Sequence, residues 1–365
     1  MRIEQLKLTS FRNISQAEIP FTHGINLLIG NNAQGKTNII EAIFCLALST
    51  SFRTSKEAEL IQYEKPKATV FANVETKFGN QQIAIGFEPK RKTLEINLEP
   101  MKRVQDFIGC VKVVLFTPDE LRLIKDGPEI RREFLDRDIS QLSPVYYHCL
   151  MQYQKVLSQR NKLLKFEKNI QSLQQQLEVW DAQLAHYASR IIITRRKFIS
   201  KLSVSKFFKE SHIMRPNETL RMEYVGFGGN SAQEIEEHMR KSLQDNLQKD
   251  IELGYTSIGP HRDDIKFFIG KEDAKIFASQ GQQRSIILSL KLAEMEVFFN
   301  EIGEYPILIL DDVFSELDSK RQKALYDILQ NFQTIITGTS LKFKPKTSYT
   351  QIKIKNGAIH SIKQM

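Results

Sequence analysis

Eight consecutive residues near the N-terminus have the types and the spacing of a loop that binds phosphate. They fit the pattern G-x-x-x-x-G-K-[ST] and are Gly30, Asn31, Asn32, Ala33, Gln34, Gly35, Lys36 and Thr37. Glycines let backbone N–H groups turn towards phosphate oxygens, because a Cβ atom would obstruct that approach. The Lys36 ammonium is expected to reach the β- and γ-phosphates, and the Thr37 hydroxyl is expected to bind Mg²⁺. The loop therefore predicts a site for ATP and Mg²⁺.

A pair of carboxylates follows a short apolar stretch far along the chain. Asp311 and Asp312 come directly after ILIL (307–310). A phosphate-binding loop needs a distant carboxylate to hold its metal, and Asp311 is predicted to bind Mg²⁺ directly or through water. Asp312 stands where a general base would polarise the attacking water. We therefore assign Asp312 and Lys36 as catalytic residues, and Thr37 and Asp311 as metal ligands.

Buried strands and a helix must position these residues. INLLI (25–29) reads as an apolar strand that leads through the loop into a helix at Lys36, whose positive N-terminal dipole would face the phosphates. Alternating stretches between residues 68 and 99 predict antiparallel hairpins broken at Gly79. VKVVLF (111–116) predicts another buried strand.

A large insertion separates the two halves of the predicted site. Asp311 lies 275 residues after Lys36, much farther than in compact kinases or small GTPases. ATPase heads of the ABC type, including the SMC-like proteins of chromosome maintenance, are divided in this way. The predicted fold is α/β, an ABC-type P-loop ATPase head of mixed sheets and helices with an inserted helical second lobe. Residues 1–125 and 251–365 are assigned to the head and residues 126–250 to the second lobe.

The inserted lobe has the pattern of two paired helices. No glycine or proline interrupts residues 145–215, and apolar side chains recur there at alternating spacings of four and three. This period is typical of a heptad seam. A turn near residues 165–170 would lay the two helices together as a short antiparallel pair. A protruding arm and the core of a plain helical subdomain are both open interpretations.

FASQGQQRSIILSLKLAE (277–294) is a candidate signature segment of an ABC-type ATPase. Four of its residues would form an anion-binding helix start that completes the nucleotide site of the opposite subunit: Ser279, Gln280, Gly281 and Gln282. SELD, which contains Ser315 and Asp318, is similar to the D-loop that follows the metal-binding carboxylate. The alternative is that SQGQQR is only the capped start of an amphipathic helix.

Taken in order along nearly the whole chain, the motifs resemble those of the RecF family of bacterial DNA-repair proteins. The segments that carry the resemblance are IEQLKLTSFRNI (3–14), GNNAQGKTNIIEAI (30–43), SFRT (51–54), PDELRLIKDGPEIRREFLD (118–136), TSIGPHRDDI (256–265), SQGQQR (279–284) and LDDVFSELD (310–318). The resemblance places Arg12, in the first segment, among the ATP-binding residues. The chain departs from the family at Ala33, where many members have glycine, and at Phe52, where histidine is common. Asp312 occupies the position where ABC transporters have glutamate, and RecF proteins generally also have aspartate there.

The resemblance implies a function as well as a fold. RecF-like proteins form an ATP-dependent homodimer that holds two nucleotides, each between the loop of one subunit and the signature of the other. They are expected to bind gapped DNA and junctions of single- and double-stranded DNA, and to help RecR and RecO load RecA. The implied enzyme is a weak, DNA-stimulated ATPase that uses hydrolysis as a release switch, with roles in DNA repair, replication and the SOS response. Aspartate is one methylene shorter than glutamate, so Asp312 would hold the attacking water less well.

The composition favours a polyanionic partner. The formal net charge is +9 and the pI about 9.2, which favours nucleic acid first and an acidic membrane second. Cys45, Cys110 and Cys149 lie far apart without a CxxC pairing, as expected of reduced thiols. No apolar run approaches the roughly 20 residues that span a bilayer, and no secretory signal is recognisable. We therefore predict a cytoplasmic protein with no membrane partner.

A basic stretch in the second helix is the candidate DNA surface. Eight Lys or Arg residues lie between residues 186 and 215, with one acid and several phenylalanines. Arg195, Arg196 and Lys197 are the residues predicted to track DNA phosphates. A solvated helix face is the alternative. The sequence has no base-reading motif, which favours recognition of backbone and shape over base sequence.

Other functions compete with this interpretation. A nucleotide-binding subunit of an ABC transporter would be expected to have a glutamate in place of Asp312 and a histidine after the next strand, whereas TIITGTS (334–340) has no histidine. An ABC-type nucleotide-binding subunit of another complex stays an open alternative. An SMC protein would need hundreds of coiled-coil residues. A DNA-binding scaffold in which ATP only stabilises the dimer stays open, because the motifs for binding and hydrolysis overlap.

Overall fold

The structure of the chain, a computed structural model, describes residues 1–167, 170–209, 218–312, 322, 325–326, 328–339 and 348–365. The chain divides into two compact units. The first unit comprises Met1–Leu121, Ser205–Asn217 and Arg284–Met365, and the second comprises Arg122–Val204 and Glu218–Gln283.

Strands and helices are present in both units. The strands are β1 (Arg2–Phe11), β2 (Ile14–Pro20), β3 (Ile25–Ile29), β4 (Ala68–Thr76), β5 (Gly79–Glu88), β6 (Arg91–Ile96), β7 (Glu99–Pro100), β8 (Val113–Phe116), β9 (Leu220–Val225), β10 (Asp264–Ile269), β11 (Glu272–Asp273), β12 (Ile307–Leu310), β13 (Thr334–Gly338), β14 (Tyr349–Lys355) and β15 (Ala358–Gln364). The α-helices are α1 (Lys36–Leu48), α2 (Val104–Phe107), α3 (Arg122–Lys125), α4 (Pro128–Leu142), α5 (Pro144–Phe166), α6 (Ile170–Val204), α7 (Lys206–Lys209), α8 (Ala232–Asp245), α9 (Leu247–Leu253), α10 (Ala274–Phe277) and α11 (Gln280–Ile302). These elements give the chain the mixed α/β character that was predicted.

One sheet of the first unit is a meander of hairpins. Its order is β2-β1-β4-β5-β6-β7, and neighbouring strands pair antiparallel. Buried side chains alternate with more exposed ones along β4, so one face of the sheet belongs to the core. β4 and β5 form the predicted hairpin, whose two-residue turn lies immediately before Gly79.

The other sheet of the first unit positions the predicted site. Its order is β15-β14-β3-β13-β12-β8, and its strands from β14 to β8 pair in parallel. β12 is buried along its length and β3 nearly so, as expected of parallel strands covered on both faces. Only β13 separates β3 from β12, and parallel strands end at the same edge of a sheet. The loop after β3 and the carboxylates after β12 therefore belong to one edge.

The second unit contains the predicted pair of helices. Leu164 of α5 packs with Leu173 and Leu177 of α6. One turn before Leu164, Arg160 donates a hydrogen bond of 2.6 Å to Asp181, one turn after Leu177. The contacts run in opposite directions along the two helices, so α5 and α6 are antiparallel.

Other helices cover the pair. α8 packs along α6, and α9 packs against α5. Leu247 and Ile251 of α9 join the cluster formed by the leucines of α5 and α6. The helical pair is therefore part of the core of a helical subdomain.

The boundaries of the second unit differ from the predicted ones. Residues 251–283, which the sequence analysis placed in the head, belong to the second unit, and that unit begins at Arg122. The cause is strand pairing, because β10 lies between β9 and β11 in a three-stranded antiparallel sheet. Arg131 of α4 also forms an ion pair with Asp264 at the start of β10. Because of these contacts, residues 251–283 pack with the earlier segments of the second unit.

Candidate nucleotide-binding site

The loop between β3 and α1 has the backbone of a phosphate cradle. Ala33 and Gly35 have φ angles of 62° and 103°, and Gly35 is the N-cap of α1. A Cβ atom at Gly30 would lie 2.5 Å from the carbonyl oxygen of Ile354, so only glycine fits there. The left-handed residues turn the chain sharply into the helix, whose first N–H groups are free of helical partners and suited to bind phosphate.

The turn between β14 and β15 forms hydrogen bonds with Gln34 of the phosphate-binding loop. The Asn356 N–H donates to Gln34 Oε1 over 2.6 Å, and the Gly357 N–H donates to the Gln34 carbonyl oxygen over 3.0 Å. Asn31 and Asn32, at the outer side of the loop, are exposed. Sequence spacing has no signal for these hydrogen bonds, because they depend on the pairing of β14 with β3.

Lys36 is positioned within the loop. Its side chain is buried, and its Nζ donates to the carbonyl oxygens of Gly30 at 2.8 Å and Asn31 at 3.0 Å. These acceptors are neutral, so the ammonium charge is held in place and remains available to an anionic ligand. The geometry suits a lysine that contacts the phosphates of a nucleotide.

Thr37 and Asp311 are brought together at the sheet edge. Thr37 Oγ1 lies 3.4 Å from both carboxylate oxygens of Asp311. The Thr337 hydroxyl, on β13, donates to Asp311 Oδ1 over 2.6 Å. Burial raises the pKa of Asp311 above its ordinary value, although the hydrogen bond from Thr337 opposes the shift.

These oxygen atoms fit a Mg²⁺ site. Hydroxyl and carboxylate oxygens are ligands that Mg²⁺ prefers, and such sites usually have one or two protein carboxylates with the rest supplied by water and phosphate. A cation next to the buried Asp311 would also favour its charged form. The donor set formed by Thr37 and Asp311 therefore agrees with the metal site that the sequence predicts.

Asp312 has an unusual backbone conformation. Its φ angle is 54°, in the left-handed region that Asp and Asn adopt more readily than most residues. Its N–H donates to the Thr337 hydroxyl oxygen over 2.9 Å, so one threonine orients both aspartates. The side chain of Asp312 is only partly buried. No spacing signal identified Thr337, since its position depends on the pairing of β12 with β13.

Arg12, predicted to bind ATP, has its hydrogen-bond partners in the first unit. Its guanidinium binds both carboxylate oxygens of Glu41 on α1, at 3.0 and 2.6 Å, and donates to the Glu59 carbonyl oxygen at 2.9 Å. Glu41 is fully buried and also accepts hydrogen bonds from Arg53 and Ser51. The cluster ties the β1–β2 turn and the SFRT segment to the helix that follows the loop. Contact between Arg12 and ATP stays a prediction.

The signature residues lie at the start of α11. The Ser279 N–H donates to Gln282 Oε1 over 2.8 Å, and the Gln282 N–H donates to Ser279 Oγ over 3.3 Å, which is a reciprocal cap. Ser279 and Gln280 are exposed, and Gly281 is partly exposed. The cap agrees with an ordinary helix start, and a role towards a second subunit stays a prediction. The predicted D-loop residues lie outside the described residues: Ser315 and Asp318.

One of the predicted DNA-binding residues is buried. The Arg195 side chain is 2% exposed and donates to Asp136 at 2.7 Å, to the Tyr146 hydroxyl at 3.0 Å and to the Pro260 carbonyl oxygen at 2.7 Å. A guanidinium enclosed in this way cannot reach a DNA phosphate. The assignment of Arg195 to DNA binding is therefore wrong, and the residue belongs to a buried polar network of the second unit.

The two residues that follow Arg195 differ in exposure, because Arg196 is partly buried and Lys197 is exposed. Arg196 donates to the carbonyl oxygen of Gly229 and lies over the ring of Tyr224, with 5.9 Å between its guanidinium carbon and the ring centroid. Lys197 is exposed. A contact between these two residues and DNA stays a prediction.

The fold and the site together define a class of protein. P-loop ATPase heads of the ABC and SMC type have a phosphate-binding loop after a central parallel strand and a buried carboxylate after the strand two positions away. In sequence, a second unit is inserted between the loop and the carboxylate, as it is in this chain. The chain matches the family described as RecF/RecN/SMC N terminal domain over residues 2–355. It is 42% identical over 347 residues to the DNA replication and repair protein RecF of Alkaliphilus oremlandii, with 94% of each chain covered. The chain belongs to the RecF family.

Further comparisons agree with this assignment. The chain is 38% identical over 371 residues to the DNA replication and repair protein RecF of Clostridioides difficile, with 99% of each chain covered. The solved structure of the recombination mediator protein RecF with ATP, in the RecFOR pathway, has a TM-score of 0.89 and 35% identity and covers 100% of this chain and 97% of its own. An Smc head domain from Pyrococcus furiosus shares the fold, with a TM-score of 0.56 and 17% identity. These comparisons agree in placing the chain in a family of DNA replication and repair proteins with an ATPase fold.

Two further properties concern the whole chain. Cys45, Cys110 and Cys149 are free thiols, as predicted. Across the part of the chain that the structure describes, no helix has both the length and the apolar character needed to cross a membrane.

Proposed function

We propose that the chain is an ATP-gated clamp on DNA that helps to load a recombinase. ATP and Mg²⁺ bind at residues 30–37 and Asp311, and a second copy of the chain closes the site with the helix start at Ser279. The closed dimer binds gapped DNA and junctions of single- and double-stranded DNA without sequence preference. Slow, DNA-stimulated hydrolysis then opens it. RecR, RecO and RecA are the proposed partners, in the cytoplasm, where bacterial DNA is repaired.

The observation that carries this proposal is the convergence of Lys36, Thr37 and Asp311 at one edge of the central sheet. Lys36 would donate hydrogen bonds to the β- and γ-phosphates, which stabilises the charge that develops on the transferred group. Asp312, one residue further, would orient a water and accept its proton. Mg²⁺, when bound, neutralises phosphate charge and aligns the β- and γ-phosphates.

The surface next to the signature supports dimerisation. Ile276 and Phe277 lie three and two residues before Ser279 and are 71% and 64% exposed. Large apolar side chains that stand together in water commonly mark protein–protein contacts. Ser279 is exposed near these two residues. A second copy of the chain that docks here would cover the apolar side chains and would at the same time bring its nucleotide to the start of α11.

We expect Ser279→Arg to block dimerisation without loss of nucleotide binding. A long cationic side chain at the helix start would fill the space that the partner's γ-phosphate needs, whereas the residue is remote in sequence from the loop at 30–37. Sedimentation velocity with a slowly hydrolysed ATP analogue should give a dimer for the wild type and a monomer for the variant. Both proteins should be monomeric in ADP, and a titration with a fluorescent nucleotide should give similar affinities.

A matched control separates this effect from added charge. Ser200→Arg introduces the same side chain at an exposed position of α6 and should dimerise like the wild type. An ATP-stabilised dimer of the Ser279→Arg variant would remove the proposed contact between the signature and the nucleotide of the other subunit.

A further inference from the structure

Helix α5 has a strongly one-sided charge pattern. Its 23 residues include Lys155, Arg160, Lys162 and Lys165 but no Asp or Glu. Arg160 is fully buried and forms ion pairs with two aspartates. The three lysines are exposed, and their spacings of seven and three residues place them on one side of the helix. We call Lys155, Lys162 and Lys165 the α5 lysine face.

The positive charge of this face is not neutralised within the second unit. Among the described residues, none of its three ammonium groups has a carboxylate partner. Two arginines of the same unit differ in this respect, since Arg221 pairs with Glu223 and Arg240 pairs with Glu236. Ordinary solvated surfaces mix charges of both signs, so a stripe of one sign indicates a polyanionic ligand.

A groove runs beside the α5 lysine face. It has a volume of about 540 Å³, and its lining residues are neutral or basic. Its polar lining includes Gln154, Ser158, Asn161, Lys162 and Lys165. Amide and hydroxyl groups of this kind donate hydrogen bonds to phosphate and sugar oxygens. The groove therefore offers donors next to the cations, and the described residues that line it include no acid that would repel a phosphate.

An exposed aromatic ring stands at the end of the groove. Phe166, the last residue of α5, is 72% exposed, and the Lys165 ammonium lies 5.6 Å from its ring centroid. An aromatic ring beside cations is the arrangement on which unpaired bases stack in proteins that bind single strands. The ring and the lysines together match both parts of a nucleotide, its base and its phosphate.

We propose that the α5 lysine face binds the phosphodiester backbone of DNA. Lys155 and Lys165 are ten residues apart, or about 15 Å along the helix, which is roughly the axial length of four nucleotides in one strand. The contact is independent of base sequence because it reads charge. The inference rests on the proposed DNA binding and assigns it to a surface that does not include Arg195, which is buried.

The test compares two triple variants with equal loss of charge. One variant changes Lys155, Lys162 and Lys165 together to Gln. The other changes Lys241, Lys266 and Lys271, which are exposed elsewhere in the second unit, to Gln. DNA affinity is measured against salt for a duplex and for a single strand. Each lost duplex contact removes about 0.9 from the slope of log affinity against log salt, and each lost single-strand contact about 0.7.

In the α5 variant, we expect the slope of log affinity against log salt to become shallower by about 2 to 3 for a duplex or by about 2 for a single strand. At 0.1 M salt this variant should bind DNA roughly 10- to 100-fold more weakly than the wild type. The control variant should keep the wild-type slope. ATP affinity should be unchanged in both variants, which verifies folding. Equal slopes for the α5 variant and the wild type, or equal losses in both variants, would overturn the proposal.

Phe166→Ala identifies the form of DNA that occupies the face. Loss of base stacking should weaken single-strand binding by about 5- to 100-fold and leave duplex binding unchanged if the ligand is a single strand. No change in either affinity, with the lysine effect present on the duplex, assigns the face to duplex DNA. Absence of DNA binding by the wild type would sink the proposed function, whereas wild-type binding with an unaffected lysine variant would overturn this inference alone.

Discussion

Asp312→Asn is expected to lower the rate of ATP hydrolysis by about 10²–10⁴-fold while ATP still binds. The amide has the shape of the carboxylate but cannot accept the proton of the attacking water. Asparagine also tolerates the left-handed backbone observed at this position, so the loop should keep its conformation. Phosphate release under saturating ATP measures turnover, and a fluorescent ATP analogue measures binding.

Asp119→Asn is a suitable control for this variant. Asp119 is an exposed carboxylate of the same unit, and its replacement should change neither turnover nor ATP affinity. Hydrolysis at the wild-type rate by the Asp312→Asn protein would show that another group accepts the proton. Loss of ATP binding together with turnover would show that Asp312 acts on the nucleotide itself.

Arg195→Ala is expected to destabilise the second unit by about 3–5 kcal/mol. The substitution leaves the partly buried Asp136 carboxylate and the Pro260 carbonyl oxygen without the guanidinium that binds them, and it empties the buried space that the Arg195 side chain fills. Trp180, the single tryptophan of the chain, lies on α6 in the same unit. Urea unfolding followed by its fluorescence should therefore report the loss.

The adjacent Lys197→Ala variant provides the comparison. Lys197 is exposed, and removal of a surface lysine usually changes stability by less than about 0.5 kcal/mol. An unfolding midpoint for Arg195→Ala equal to that of Lys197→Ala would contradict the structural role of the buried guanidinium. A large loss of DNA affinity in a folded Arg195→Ala protein would also contradict it.

The candidate nucleotide site could be proposed from the sequence because phosphate chemistry restricts the residue types that can form such a site. Gly30 has no room for a Cβ atom, and such a loop requires a lysine for its charge and a threonine or serine for its hydroxyl, at the positions of Lys36 and Thr37. The apolar strand before Asp311 likewise indicated a central position in a sheet. Local patterns were sufficient here, since the constraints act within a few residues of one another.

Features that depend on distant parts of the chain were not predictable in this way. Arg195 looked like part of a basic helix face, and only its partners Asp136 and Pro260, far away in sequence, show that it faces inward. The boundary near residue 250 was misplaced because the pairing of β9 with β10 has no local signal. Thr337 was missed for the same reason, as its contact with Asp311 requires two strands to be neighbours.

The most direct test of ATP-gated DNA binding is the salt dependence of DNA affinity in ATP and in ADP. If ATP closes a dimer, two copies of the basic surface contact one DNA, so the slope of log affinity against log salt should be about twice as steep in ATP. Lys36→Ala removes the fixed cation of the loop and should show the shallow slope with either nucleotide. Equal slopes and affinities for the wild type in ATP and ADP would contradict gating and leave a scaffold that binds DNA whatever its nucleotide.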